Sequence, residues 1–123
     1  MVMLRDEHLR IQQLARRFAE QEIMPIADEL DQREATIPAQ NLKKMGELGF
    51  FGLLISEAYG GLGLGMVAVG LVTEELSRAW LSVGSVIARN IFCGFILERT
   101  GSEEQKRRWL PGLATGEVQT ASA

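Results

Sequence analysis

Arg89 is the charge most out of place in this 123-residue sequence. It interrupts the stretch Ser82 to Arg99 (SVGSVIARNIFCGFILER), which is otherwise almost wholly apolar or small. A guanidinium there is costly unless it is paired or at an edge. Two readings stay open: a structural partner for a carboxylate, or a cation beside a ligand. The remaining chemistry-bearing residues are sparse. Glu74 and Glu75 are adjacent, about 100° apart on a helix, so they do not face each other as an acid/base pair, whereas Glu74 and Arg78 have the i,i+4 spacing of a helix-supporting ion pair. Cys93, beside Gly94 on the apolar stretch, reads as a buried inert thiol. With one cysteine and one histidine, His8, a disulfide framework is impossible and a Cys/His zinc site lacks ligands. A Ser-His-Asp device would have to use His8, close to a chain end. Lys106-Arg107-Arg108 is short and flanked by acids, as on a solvated face. Gly63-Leu64-Gly65-Met66-Val67-Ala68 has the form G-x-G-x-x-A of a dinucleotide turn. That chemistry needs a strand running straight into the turn and a second parallel strand bearing an acid. Here helical patterns follow, and the glycines read as a packing turn.

The elements that must hold these residues are helical. From Asp6 to about Glu34, apolar residues recur at spacings of three and four. Asp6 is the expected N-cap, and Pro25 is expected to kink or restart the helix because it lacks an amide hydrogen and crowds the preceding turn. Pro38 suits the first position of the next helix. Leu42, Met45 and Leu48 form its stripe, and Gly49 stands where a left-handed cap belongs. Phe50 to Ile55 (FFGLLI) is expected as a buried loop, since a lone strand has no evident partner. Gly60 to Gly65 then marks a tight turn in which backbone passes close to backbone. Met66 to Ala79 is a helix with Val69, Val72 and Leu76 inward. Ser82 is the expected cap of a central helix from Val83 to Arg99. Ser102-Glu103-Glu104-Gln105 is a capping box, and Pro111 is expected to limit the helix it opens. The tail after Ala114 shows no closing element. The sum is an all-α bundle of five to six helices in one domain, residues 1–123.

Size and composition agree. A chain of this mass buries about two thirds of its unfolded surface, enough for one core without staples. The net charge of −3 gives no nucleic-acid footprint. The first residues carry Arg5, Asp6, Glu7 and His8 and show neither a signal-peptide core nor transit-peptide character. The stretch Val83 to Leu97, broken by Arg89 and Asn90, reads as too short to span a bilayer. A soluble cytoplasmic chain is the expectation.

Three segments carry a resemblance: MGELGFFGLLISEAYGGLGLG (Met45 to Gly65), VTEELSRA (Val72 to Ala79) and GSEEQKRRWLPGLATGE (Gly101 to Glu117). Together with ARRFAEQEIMPIADELDQ (Ala15 to Gln32), they resemble the amino-terminal helical domain of the acyl-CoA dehydrogenase family over essentially the whole chain. The resemblance implies a flavoprotein that dehydrogenates an acyl-CoA thioester across its α and β carbons, a base taking the α proton and FAD the β hydride. It implies electron transfer to an electron-transferring flavoprotein, and assembly as a homo-tetramer. It also implies a middle β-barrel domain and a carboxy-terminal helical domain, neither of which this sequence contains, so the fragment alone is expected to be inactive and not to hold FAD. The helix matching Ser82 to Arg99 would form one wall of the acyl pocket. Gly84, Ser85, Ala88, Arg89 and Phe92 are the candidate substrate-binding residues. No catalytic, cofactor or metal residue is assigned. The family often has His-Asn where this chain has Arg89-Asn90, a departure that bears on the acyl group accepted. A stand-alone helical binding or scaffold module is the alternative.

Overall fold

A computed structural model describes residues 3–123. Six α-helices follow one another: α1 (Asp6–Phe18), α2 (Met24–Gln32), α3 (Ala39–Glu47), α4 (Met66–Ala79), α5 (Leu81–Thr100) and α6 (Glu103–Thr115). No strand occurs among the described residues. α1 begins one residue earlier than expected: Arg5 is the N-cap, and its amide donates to His8 Nδ1 at 3.1 Å. That makes Asp6 the first helical residue, where its charge favours the helix dipole. Between α1 and α2 the chain widens into a π-turn at Ala19–Ile23. Pro25 therefore sits in the first turn of α2, where its missing amide hydrogen removes no bond. Pro38 is the N-cap of α3 rather than its first residue. Gly49 has φ +86°, as a left-handed residue after a helix should.

The core runs from α1 to α5. Ile11, Ala15, Phe18 and Ile23 meet Val72, Leu76, Ile87 and Ile91, and the segment Phe50 to Leu53 fills the space between them. The Phe18 and Phe50 rings meet edge to face at 5.7 Å. The FFGLLI segment is a buried loop whose carbonyls are taken by the glycine turn. Leu62, Gly63 and Leu64 amides donate to Gly52, Ile55 and Leu53 carbonyls at 2.8–2.9 Å. Gly61 is required there: a Cβ would lie 2.0 Å from the Ile55 carbonyl oxygen.

The last two helices differ from expectation at their ends. α5 starts at Leu81 with Trp80 as N-cap, so Ser82 is helical and not a cap. Trp80 is held from outside, its indole donating to Asp31 Oδ1 at 3.0 Å. α5 runs to Thr100, 20 residues at mean hydropathy 1.4, and so is long and apolar enough to cross a membrane by length and composition. In this bundle one face of it packs on α4 and α6. The capping box forms: Gln105 amide donates to Ser102 Oγ, and the Gln105 side chain accepts from the Ser102 amide. Pro111 does not end α6, which continues to Thr115. Burial of Leu113 and Ala114 beyond it outweighs the hydrogen bond that proline removes.

Candidate functional site

α5 has two unlike faces. Val83, Gly84, Ile87, Asn90, Ile91 and Gly94 are buried against the bundle. On the other side Leu81, Phe92 and Ile96 are 73%, 47% and 60% exposed, and Ser85, Arg89 and Cys93 are exposed beside them. Cys93 is therefore not a buried thiol. The helix is apolar on both sides, so its composition does not say which side packs.

The tail returns to this helix and builds the site. Asn90, fully buried, donates from Nδ2 to the Val118 carbonyl at 2.7 Å and to Leu113 at 3.3 Å. Its Oδ1 accepts from the Thr120 amide and hydroxyl at 3.0 and 3.1 Å. All of its polar capacity toward the tail is used. The chain after α6 turns at Gly116 (φ +81°) and is pinned across α5. Sequence reading gave Asn90 no role. Its only signal was an amide side chain beside Arg89 on an apolar helix.

This clamp leaves a groove of about 400 Å³ between the outer face of α5 and the tail. Ser85, Ala88, Arg89 and Phe92, four of the five candidate residues, line it together, with Thr120 to Ser122 opposite. A second depression of about 560 Å³ lies on the other side of Ser85 and Arg89, toward Ile37 and Trp80. Gly84 is not brought to either groove. A Cβ on it would stand 1.9 Å from Ser77 Oγ, so this glycine lets α4 and α5 approach each other. Positions 84, 88 and 92 advance about 40° per step around the helix. The stripe therefore winds from the packed side at Gly84, through half-buried Ala88, to exposed Phe92.

Arg89 has no carboxylate partner among the described residues. The internal ion pairs lie elsewhere. Glu75 is buried. Arg16 reaches its Oε1 with Nη2 at 2.7 Å and Nε at 3.1 Å, and Arg78 reaches its Oε2 at 3.3 Å. Arg78 thus pairs with Glu75 and Glu20, not with Glu74. The Arg16 hydrogen bond holds the Glu75 carboxyl below the usual carboxylate range, against the opposing effect of burial, and Arg78 adds to it. The same bond raises Arg16. Tyr59 donates to Glu103 at 3.0 Å, raising the phenol and lowering the acid. These pairs join helices and loops far from the groove.

No group of three metal-ligating side chains forms among the described residues. The Gly63–Gly65 turn offers no dinucleotide cradle. The amides of Gly63 and Leu64 are engaged by Ile55 and Leu53, and the element before the turn is loop. This turn therefore does not fit a dinucleotide pyrophosphate. What the site can do is bind: an apolar floor, hydroxyls at its edges and one permanent cation.

Comparison with known proteins places the fold. The profile for the acyl-CoA dehydrogenase N-terminal domain matches residues 5–117. The (2S)-methylsuccinyl-CoA dehydrogenase of Cereibacter sphaeroides is 39% identical over 92% of this chain and 21% of its own length. The mitochondrial short-chain specific acyl-CoA dehydrogenase of Mus musculus is 39% identical over 94% of this chain and 28% of its own. A glutaryl-CoA dehydrogenase from Mycobacterium smegmatis, solved in complex with FADH2, superimposes with a TM-score of 0.84 at 32% identity, over 94% of this chain and 30% of that one. The chain thus spans between about a fifth and a third of these proteins. Six helices in this order and a profile match across nearly all of them establish that the chain belongs to the acyl-CoA dehydrogenase family, as its N-terminal domain.

Proposed function

We propose that this domain forms one wall of the acyl pocket in an FAD-dependent enzyme that dehydrogenates an acyl-CoA thioester between its α and β carbons. The observation that carries the reading is the groove: Ser85, Ala88, Arg89 and Phe92 line one apolar cleft on the outer face of α5. The acyl-CoA dehydrogenases among its relatives support the substrate class, and the FADH2 complex of the Mycobacterium smegmatis enzyme supports the cofactor. In this reading residues 1–123 are the amino-terminal domain. The flavin and the catalytic base belong to a middle β-barrel and a carboxy-terminal helical domain outside them. These residues bind and shape, and no step of the flavin chemistry runs through them. The complete enzyme is a soluble cytoplasmic homo-tetramer that passes electrons to an electron-transferring flavoprotein.

The test is a substitution in the full-length protein carrying this domain. Ala88→Phe places a phenyl ring in the groove, and overpacking of that kind costs about 1–3 kcal/mol. Bulky or branched acyl-CoA thioesters should lose roughly 5- to 150-fold in kcat/KM, short ones much less, with flavin occupancy retained. Failure of every acyl-CoA to reduce the flavin refutes the reading. An equal loss across the series makes Ala88 a packing residue and removes the pocket from α5.

A further inference from the structure

The acyl wall carries one charge that the domain does not neutralise. Arg89 stands on the outer face of α5, exposed, with no carboxylate partner among the described residues. Arg16 and Arg78 bind Glu75, and Arg99 and Arg108 lie over the Phe95 and Trp109 rings at 5.1 and 5.0 Å; Arg10, Arg17 and Arg107 also make no ion pair, but none of them lines the cleft beside the tail. Arg89 instead borders a cleft whose floor is Ala88, Phe92 and Ile96. Covering that cleft with an alkyl chain would take water from the guanidinium and offer it no partner in return. An anion is needed there.

We infer that the acyl group entering this cleft ends in a second carboxylate, and that Arg89 and Ser85 read it; the substrate class is the CoA mono-thioester of a dicarboxylic acid. The inference rests on the acyl-pocket reading above. The guanidinium presents paired N–H groups in a plane that matches two carboxylate oxygens. Ser85 is four residues before Arg89, on the same side of α5 and about 6 Å along its axis, and it lines the same cleft. One cation with hydroxyls around it balances a single negative charge. The phosphates of a CoA moiety carry several, and the cleft lining contains no second lysine or arginine to meet them.

The full-length enzyme is assayed with pairs of thioesters of equal length, one ending in methyl and one in carboxylate: butyryl-CoA against succinyl-CoA, and valeryl-CoA against glutaryl-CoA. The wild type should favour the carboxylate-ended member of at least one pair. Arg89→Gln should lower that preference, as a ratio of kcat/KM values, by about 30- to 1,000-fold. Arg89→Lys keeps the charge without the fork and should fall between. Melting temperature and flavin occupancy, followed in parallel, check that the exposed substitution leaves the fold intact. A wild type that prefers methyl-ended thioesters in both pairs overturns the inference while the acyl-pocket reading stands. An equal loss on both members of a pair in Arg89→Gln also overturns it, and assigns Arg89 to the CoA phosphates or to a carboxylate of another domain. Turnover of no acyl-CoA by the wild type removes both.

Discussion

Replacing Asn90 by alanine removes four hydrogen bonds made by one fully buried side chain. The Leu113 carbonyl retains a weaker partner in the Gly116 amide at 3.3 Å. The groups left bare are therefore the Val118 carbonyl and the Thr120 amide. A lost intramolecular bond is worth about 0.5–1.5 kcal/mol net, and a buried group left unpaired costs about 1–3 kcal/mol. Both groups are only part-buried, so water relieves some of this, and a total of about 2–4 kcal/mol follows. For a chain of this size that is a fall in Tm of roughly 6–15 °C. The loss has a location. Val118 keeps its own amide bond to Gly112 at 3.0 Å, so the chain should loosen after it, at Thr120 to Ser122, the far wall of the groove. Thermal unfolding of the 123-residue chain followed by circular dichroism gives the magnitude, and hydrogen exchange at the Thr120 amide gives the place. Asn90→Asp is the companion variant: it still accepts from Thr120 but turns an acceptor toward the Val118 carbonyl, and should be no milder. A Tm within about 1 °C of wild type, or unaltered protection at Thr120, would refute the clamp.

Two further outcomes follow from the bundle. Gly61→Ala puts a methyl 2.0 Å from the Ile55 carbonyl oxygen, where only backbone could give way, whereas Gly70→Ala meets nothing within 4 Å; chemical denaturation should show a loss of about 2–3 kcal/mol or more for the first and no loss, or a gain of up to about 1 kcal/mol, for the second, and equal shifts would dismiss the close approach. Glu75 has a folded-state pKa held low by Arg16, so its contribution is complete above the ordinary carboxylate pKa of about 4.3 and disappears as the pH falls through the lowered folded value; Glu75→Gln should therefore destabilise the chain at pH 7 and converge with wild type in acid, and urea midpoints that differ by the same amount at pH 7 and pH 3 would contradict that linkage.

Local interactions were legible in the sequence because everything they need lies within a few residues. The capping box at Ser102 and Gln105, the left-handed Gly49, and the helix from Met66 to Ala79 are of this kind. So is the glycine turn, where Gly60, Gly63 and Gly65 take the positive φ that only glycine adopts freely. The helix ends at Asp6, Pro38 and Ser82 were misplaced by one or two residues. At Ser82 the reason is tertiary: the observed cap, Trp80, is held from outside the helix by Asp31, 49 residues away.

Composition and spacing alone determined that the chain is a one-core helical bundle, and residue order in four segments pointed to its family. Neither could say which side of α5 packs, because both sides are apolar and the helical period is the same for a buried and an open stripe. The tertiary structure made that choice, and with it the fate of every candidate on the helix. Gly84 went to the interface with Ser77, Cys93 to the surface, and Asn90 to the tail 28 to 30 residues on. It also took Arg78 away from Glu74, since Glu75, on the packed side of α4, gathers Arg16 from 59 residues earlier. Whether Arg89 was paired depended on which carboxylates the fold brought near it. That is a question of distance in space, which spacing along the chain does not contain.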